Sequence, residues 1–179
     1  MGEQWVSSAR AEWVWREVWS QAVSEGSPDD VVRLAVMVGA VRVTLARRAE
    51  LCRVRLSDHR PVSRKLTVRR TKFQQIHTVD VDDDLHRVLT DWRARRKRLV
   101  GELEGADHGR MFVTCHHTMW RGVEGRVTKQ VGLPLAEPGV LWAWKRWAAK
   151  TNAEHAGELG WEPLPSRFEQ IRQAWRRTS

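Results

Sequence analysis

At 179 residues, 41% of them apolar, the chain is long enough for one ordinary domain with a real core and too apolar to be read as disordered. Its formal charge of +9 is uneven: three basic against six acidic side chains over residues 1–40, seventeen against seven over 41–100, eleven against nine thereafter. The middle block has the electrostatic footprint of a protein that meets a polyanion. Two cysteines without metal-ligand spacing exclude a disulfide scaffold and a zinc module. The start has no secretory h-region, and the most apolar run, Leu34 to Val41 between Arg33 and Arg42, is too short to span a bilayer. A soluble, cytoplasmic protein with no membrane partner is expected.

Residues 3–25 are predicted as an amphipathic helix, with Ala11, Val14, Trp15, Val18 and Ala22 at helical spacing. Residues 1–26 would be a helix and linker ahead of a domain over 27–179. "SPDD" restarts the chain, with Ser27 as N-cap, Pro28 at the first helical position and Asp30 completing a capping-box pattern. The helix that follows, to about Gly39, is apolar all round and is predicted as the central buried one. Another helix is predicted over 46–56.

The period then changes. Leu66–Val68 and Ile76–Val81 are β-rich runs either side of a basic stretch, a hairpin pattern. Asp82 caps a helix whose stripe is Leu85, Val88, Leu89 and Trp92 and which ends in "RARRKR". Residues 101–110 are predicted as a loop, Met111–Cys115 as a short strand and 132–139 as a loop with two prolines. A tryptophan-rich helix over 140–150 and a last helix over 164–177 complete the chain. In "VLWAWKRWAAK" the spacing puts Leu141, Trp144 and Ala148 inward, Lys145 and Arg146 outward, and leaves Trp142 the most exposed indole.

One residue does not suit its pattern. Arg47 stands in "VTLARRAELCRVRLSD", where the surroundings ask for something that packs. A half-buried arginine is costly unless it pairs or awaits an anion. Either it pairs with Glu50 or another acid, or it holds a phosphate. The adjacent His116 and His117 in "TCHHTMW" diverge on any regular backbone, so no metal site is expected there.

The succession of segments resembles the catalytic domain of the tyrosine recombinases, the phage-integrase family. Leu45-Ala46-Arg47-Arg48-Ala49-Glu50-Leu51 fills the places of that family's G-L-R-x-x-E-L, and Arg55-Leu56-Ser57-Asp58 those of its R-x-x-D ending. The hairpin that should carry a lysine contains Lys72, with Lys65 as a rival, and Val79-Asp80-Val81 resembles the strand after it. "PLAEPGVLWAWKRWAAK" is similar to the family's P-L-S segment. The resemblance runs in order over roughly residues 30–150. It implies an α+β fold, mostly a helical bundle with a small antiparallel sheet or hairpin.

By resemblance, Arg47 would bind the scissile phosphate, a task suited to a rigid, always-charged fork of donors. Lys72 would protonate the leaving oxygen, and Glu50 would brace the helix start or orient an arginine. The family's H-x-x-R motif should fall in "EPLPSRFEQIRQAW"; Arg167 could stand for its arginine, which leaves Leu164 at the histidine's place. The chain has no tyrosine, so Arg47, Lys72 and Arg167 would be vestigial phosphate contacts in a domain truncated at its C-terminal end. Further backbone contacts are expected from Arg48, Arg69, Arg70, Arg93, Arg96, Lys97, Lys145 and Arg146. The expected partner is double-stranded DNA, at the nucleoid, alone or alongside an active recombinase or a second copy, with no cofactor and no metal. The alternative is a protein-interaction module on the same scaffold with no nucleic-acid role.

Overall fold

A computed structural model of the chain describes residues 6–71, 75–121 and 127–177. Its axis is α2, Asp29–Thr44, in which every residue from Val32 to Val41 is buried. α1, Ser8–Val23, lies along it through the predicted stripe of Ala11, Val14, Trp15, Val18 and Ala22, and starts where the Ser7 side chain accepts from the Arg10 N–H. α4, Asp83–Val100, packs on it through Leu85, Val88, Leu89 and Trp92 and is capped by Asp82.

Two details of α2 differ from expectation. Its N-cap is Pro28, while the Ser27 hydroxyl is buried without a partner among the described residues. It also runs five residues past Gly39. A Cβ built on Gly39 would lie 2.7 Å from atoms of both Trp15 and Leu85, so this glycine lets α1 and α4 close on the axis and does not end the helix.

The predicted 46–56 helix is broken into α3, Arg48–Cys52, and a 3-10 turn over Leu56–Asp58. Each piece is drawn by its own acid: Glu50 Oε2 accepts the Arg47 N–H and Asp58 Oδ2 the Arg55 N–H, both at 2.8 Å. The chain then enters a three-stranded antiparallel sheet of β1 (His59–Arg60), β2 (Lys65–Arg69) and β3 (Ile76–Asp80), ordered as in sequence. β2 and β3 form the predicted hairpin, with Leu66 opposite Val79 and Arg69 opposite Ile76. Leu66 and Val68 turn into the core.

Met111–Cys115 is extended but is not a regular strand. The segment is flanked by residues 54–56 on one side and 132–135 on the other, bonding through Met111 N–H to Val54 C=O (2.8 Å) and Leu135 N–H to Phe112 C=O (3.0 Å). Pairing is reduced to isolated bridges, Arg55 opposite Arg110 and Val113 opposite Pro134, each a non-hydrogen-bonded pair with ladder bonds from the residues on either side. A second hairpin, β4 (Thr118–Arg121) with β5 (Val127–Gln130), follows where no element was predicted.

α5, Glu137–Glu154, starts three residues before the predicted position because Pro138 is accommodated in its first turn, and α6 spans Phe168–Arg176. Buried indoles tie distant segments together. Trp144 Nε1 donates to Pro165 C=O (2.9 Å), Trp147 Nε1 to Gln21 (2.9 Å), Trp92 Nε1 to Met111 C=O (3.0 Å) and Trp175 Nε1 to Glu12 (2.8 Å). Each buried aromatic side chain contributes about 2–3 kcal/mol of burial, and these bonds fix which segment it packs under. As predicted, Trp142 points out, 72% exposed. Among the described residues no helix is long and apolar enough to cross a membrane.

Candidate nucleic-acid interface

α2 ends on Leu45, whose backbone is left-handed (φ 55°) and whose N–H bonds to Val41 C=O at 2.7 Å. A non-glycine residue there costs on the order of 1 kcal/mol. The same turn offers the Leu45 carbonyl to two arginines from far along the chain, Arg70 Nη1 at 2.9 Å and Arg172 Nη1 at 3.4 Å. Two residues on, Arg47 is the exposed N-cap of α3, and its guanidinium has no hydrogen bond or ion pair among the described residues. The acid proposed as its partner is otherwise engaged. Glu50 accepts the N–H groups of Arg47 (2.8 Å) and Thr71 (3.1 Å) and pairs with Arg70 (3.3 Å). Burial works to raise the Glu50 pKa, but those two N–H groups and the Arg70 charge outweigh it and hold the carboxyl below its ordinary value. Glu50 is an anion at neutral pH that anchors the backbone and Arg70, leaving Arg47 without a carboxylate partner among the described residues.

Arg47 lines an open basin of about 490 Å³ with Arg70, Arg172, Arg176, Gln75 and His77, over Leu45 and Glu50. Arg172 is 8% exposed, and its Nε donates to Glu169 Oε1 at 2.7 Å, with a second contact from Nη2 to the same oxygen. Side chains 125 positions apart are thus brought together on one face, with four arginines around one buried carboxylate. Such a set of fixed donors is suited to a phosphodiester.

The expected Arg167 lies away from the basin. Arg167 is exposed at the N-cap of α6 and does not line the basin; Arg172, on the first turns of that helix, does. Glu169-x-x-Arg172 meets the H-x-x-R spacing, with Glu169 at the histidine's place. The signal was available: Phe168, Ile171 and Trp175 form the buried stripe of α6, which places Arg172 against the core and Arg167 outside it. Arg176, which the sequence does not single out, also lines the basin. Lys72 lies outside the described residues. Its rival Lys65 is bonded to Asp80 (2.6 Å), four residues up β2 from Arg69, roughly 13 Å away.

Of the other basic residues, Arg70 is a positioning group in the basin wall. Arg69 stands exposed nearby, with Nη1 2.8 Å from both Asp58 oxygens. Arg48 is half-buried on α3. Arg93 donates to Leu56 C=O at 3.0 Å. Arg96 must be corrected: it is 1% exposed and bidentate on Asp107 (2.8 and 2.6 Å), so it fastens the 101–110 loop and cannot reach a ligand. Lys97 is exposed on α4. Lys145 and Arg146 are exposed on α5, where Arg146 lies 3.5 Å from Asp30 and 3.3 Å from His116. Both thiols are pushed up to about 11, by burial first, so neither Cys52 nor Cys115 is poised as a nucleophile.

No family model and no curated protein matches the sequence. The fold does match solved structures. XerA recombinase superposes with a TM-score of 0.58 at 13% identity, over 99% of this chain and 51% of that one. The Tn1549 transposon integrase, in complex with transposon right end DNA, gives 0.58 at 13% identity over 98% of this chain and 52% of that one. The catalytic core of lambda integrase gives 0.50 at 17% identity over 98% and 85%. The chain spans about half the length of the first two. The architecture is therefore that of a tyrosine recombinase or integrase catalytic domain.

Proposed function

We propose that this recombinase-like scaffold binds double-stranded DNA through phosphate contacts from Arg47 and Arg172, without cutting it. The observation that carries the reading is the convergence of Arg47, unpartnered among the described residues, and Arg172, paired with Glu169, on one basin built around Leu45 and Glu50. Lys72 would add a contact from the hairpin, and Arg48, Arg69, Arg93, Lys97, Lys145 and Arg146 longer-range attraction. The Tn1549 integrase and a lambda integrase dimer were each solved on DNA, which supports the same partner for this fold. These 179 residues contain no tyrosine and so supply no tyrosyl nucleophile for strand cleavage. The protein would occupy recombination sites, or pair there with an active recombinase and regulate it.

The test is a titration of labelled duplex DNA over a salt series, beside Arg47→Ala/Arg172→Ala. Affinity falling steeply with salt in the parent, and a slope shallower by about 0.9 per lost contact in the variant, would support the cleft. No binding at low salt by a folded sample would overturn it and favour the protein-interaction reading.

A further inference from the structure

A second basin, of about 860 Å³, adjoins the first across Arg70 and Ile76, and it is lined by Arg53, Arg55, Arg69 and Arg110 as well. Its charges do not balance. Arg69 is matched by Asp58 and Arg70 by Glu50, and both acids are already bonded to backbone N–H groups. Arg53, Arg55 and Arg110 have no carboxylate partner among the described residues.

The arrangement is also fixed by backbone pairing. Arg55 and Arg110 are directly opposite each other at an antiparallel bridge, so their side chains leave the same face, where like charges repel. Arg110 Nη1 is held by Arg53 C=O at 2.9 Å, and Arg53 Nη1 by Thr71 Oγ1 at 3.3 Å. The fold thus holds three unneutralised guanidinium groups together in preset positions, at a cost that an anion would relieve.

We infer that this arginine basin is a second phosphate subsite, taking backbone phosphates of the nucleic-acid strand that flank the one at Arg47. The inference rests on the DNA-binding reading of the first basin. It adds Arg53, Arg55 and Arg110 to the interface and makes Arg70 and Ile76 the wall between two adjacent phosphate positions.

The test compares the full chain, Arg55→Gln/Arg110→Gln and Arg47→Ala/Arg172→Ala on labelled duplex DNA over a salt series, with melting curves with and without inorganic tripolyphosphate. Arg55→Gln/Arg110→Gln is expected to bind DNA about tenfold more weakly at moderate salt, with a slope shallower by about 1.8, and to melt no lower than the parent in the absence of ligand. Parent-like DNA affinity and slope in this variant would overturn the subsite, while a loss confined to Arg47→Ala/Arg172→Ala would leave the first basin standing. Tripolyphosphate stabilisation lost in Arg55→Gln/Arg110→Gln without any change in DNA binding would assign the basin to a free polyanion and also overturn it. A melting point well below the parent would give these arginines a structural role instead. Parent-like binding in both variants would remove both readings.

Discussion

Arg172 carries its own counter-ion into the basin. The Glu169 carboxylate occupies the donors of Arg172 that a phosphate would use, so the two compete for the same guanidinium. Glu169→Gln keeps the shape and removes the competing charge; duplex affinity should rise roughly fivefold, about 1 kcal/mol, measured by anisotropy titration at fixed salt. Glu50 has the opposite role. Glu50→Gln leaves the donors of Arg47, Arg70 and Thr71 poorly answered and should cost about 2–3 kcal/mol in urea unfolding. Because its folded pKa is lowered, the stability Glu50 supplies is present above the ordinary carboxylate range and is lost as pH falls through the folded value. His59 adds acid sensitivity at higher pH. It is buried with neither ring nitrogen bonded among the described residues, and burial, then the Arg93 charge and His86, lower its pKa to about 4. The unfolded chain takes up a proton near pH 6.5 and the folded one does not, so up to about 3 kcal/mol is lost between pH 6.5 and 4. His59→Leu should flatten that part of a stability-against-pH curve and leave stability at pH 7 equal or higher.

The helices were legible because a buried stripe repeats at helical spacing: the inward residues expected for α1 and α4 are the buried ones. The end of α2 was misread because glycine has two uses, stopping a helix and admitting a neighbour, and only the packing of Trp15 and Leu85 distinguishes them. Gly39→Ala gains up to about 1 kcal/mol of helix propensity but forces a methyl into two close contacts, typically 1–3 kcal/mol of overpacking; a lowered melting temperature is expected. The β4–β5 hairpin was missed because "TMWR" and "VTKQ" are four-residue strands with no alternation long enough to register. Arg172 shows the same effect within the site. The order of segments points to Arg167, whereas the stripe of α6 decides which arginine faces inward.

Across the whole molecule, the basic block of residues 41–100 is partly internal. Arg96 is buried in an ion pair, and Arg42, Arg95 and Arg98 are matched by Glu12, Asp29, Asp82 or Asp91, the first two of them in the acidic N-terminal quarter. The sequence count therefore overstates the charge available to a ligand. The arginines of the two basins stand where α3, β2, β3 and α6 come together, and salt should weaken DNA binding mainly through those contacts and not through all thirty-one basic residues. The indoles that tie the segments together have an optical consequence. With eleven tryptophans and no tyrosine, ultraviolet emission is purely indole, and the five that are buried among the described residues should give a blue-shifted band that moves to the red on unfolding. Among the described residues Trp142 is the most exposed indole, beside Lys145 and Arg146, so iodide, an anion, should quench it ahead of the buried ones, and Trp142→Phe should shrink the accessible fraction. The native protein therefore carries its own probe of the α5 surface, able to report whether anything docks there.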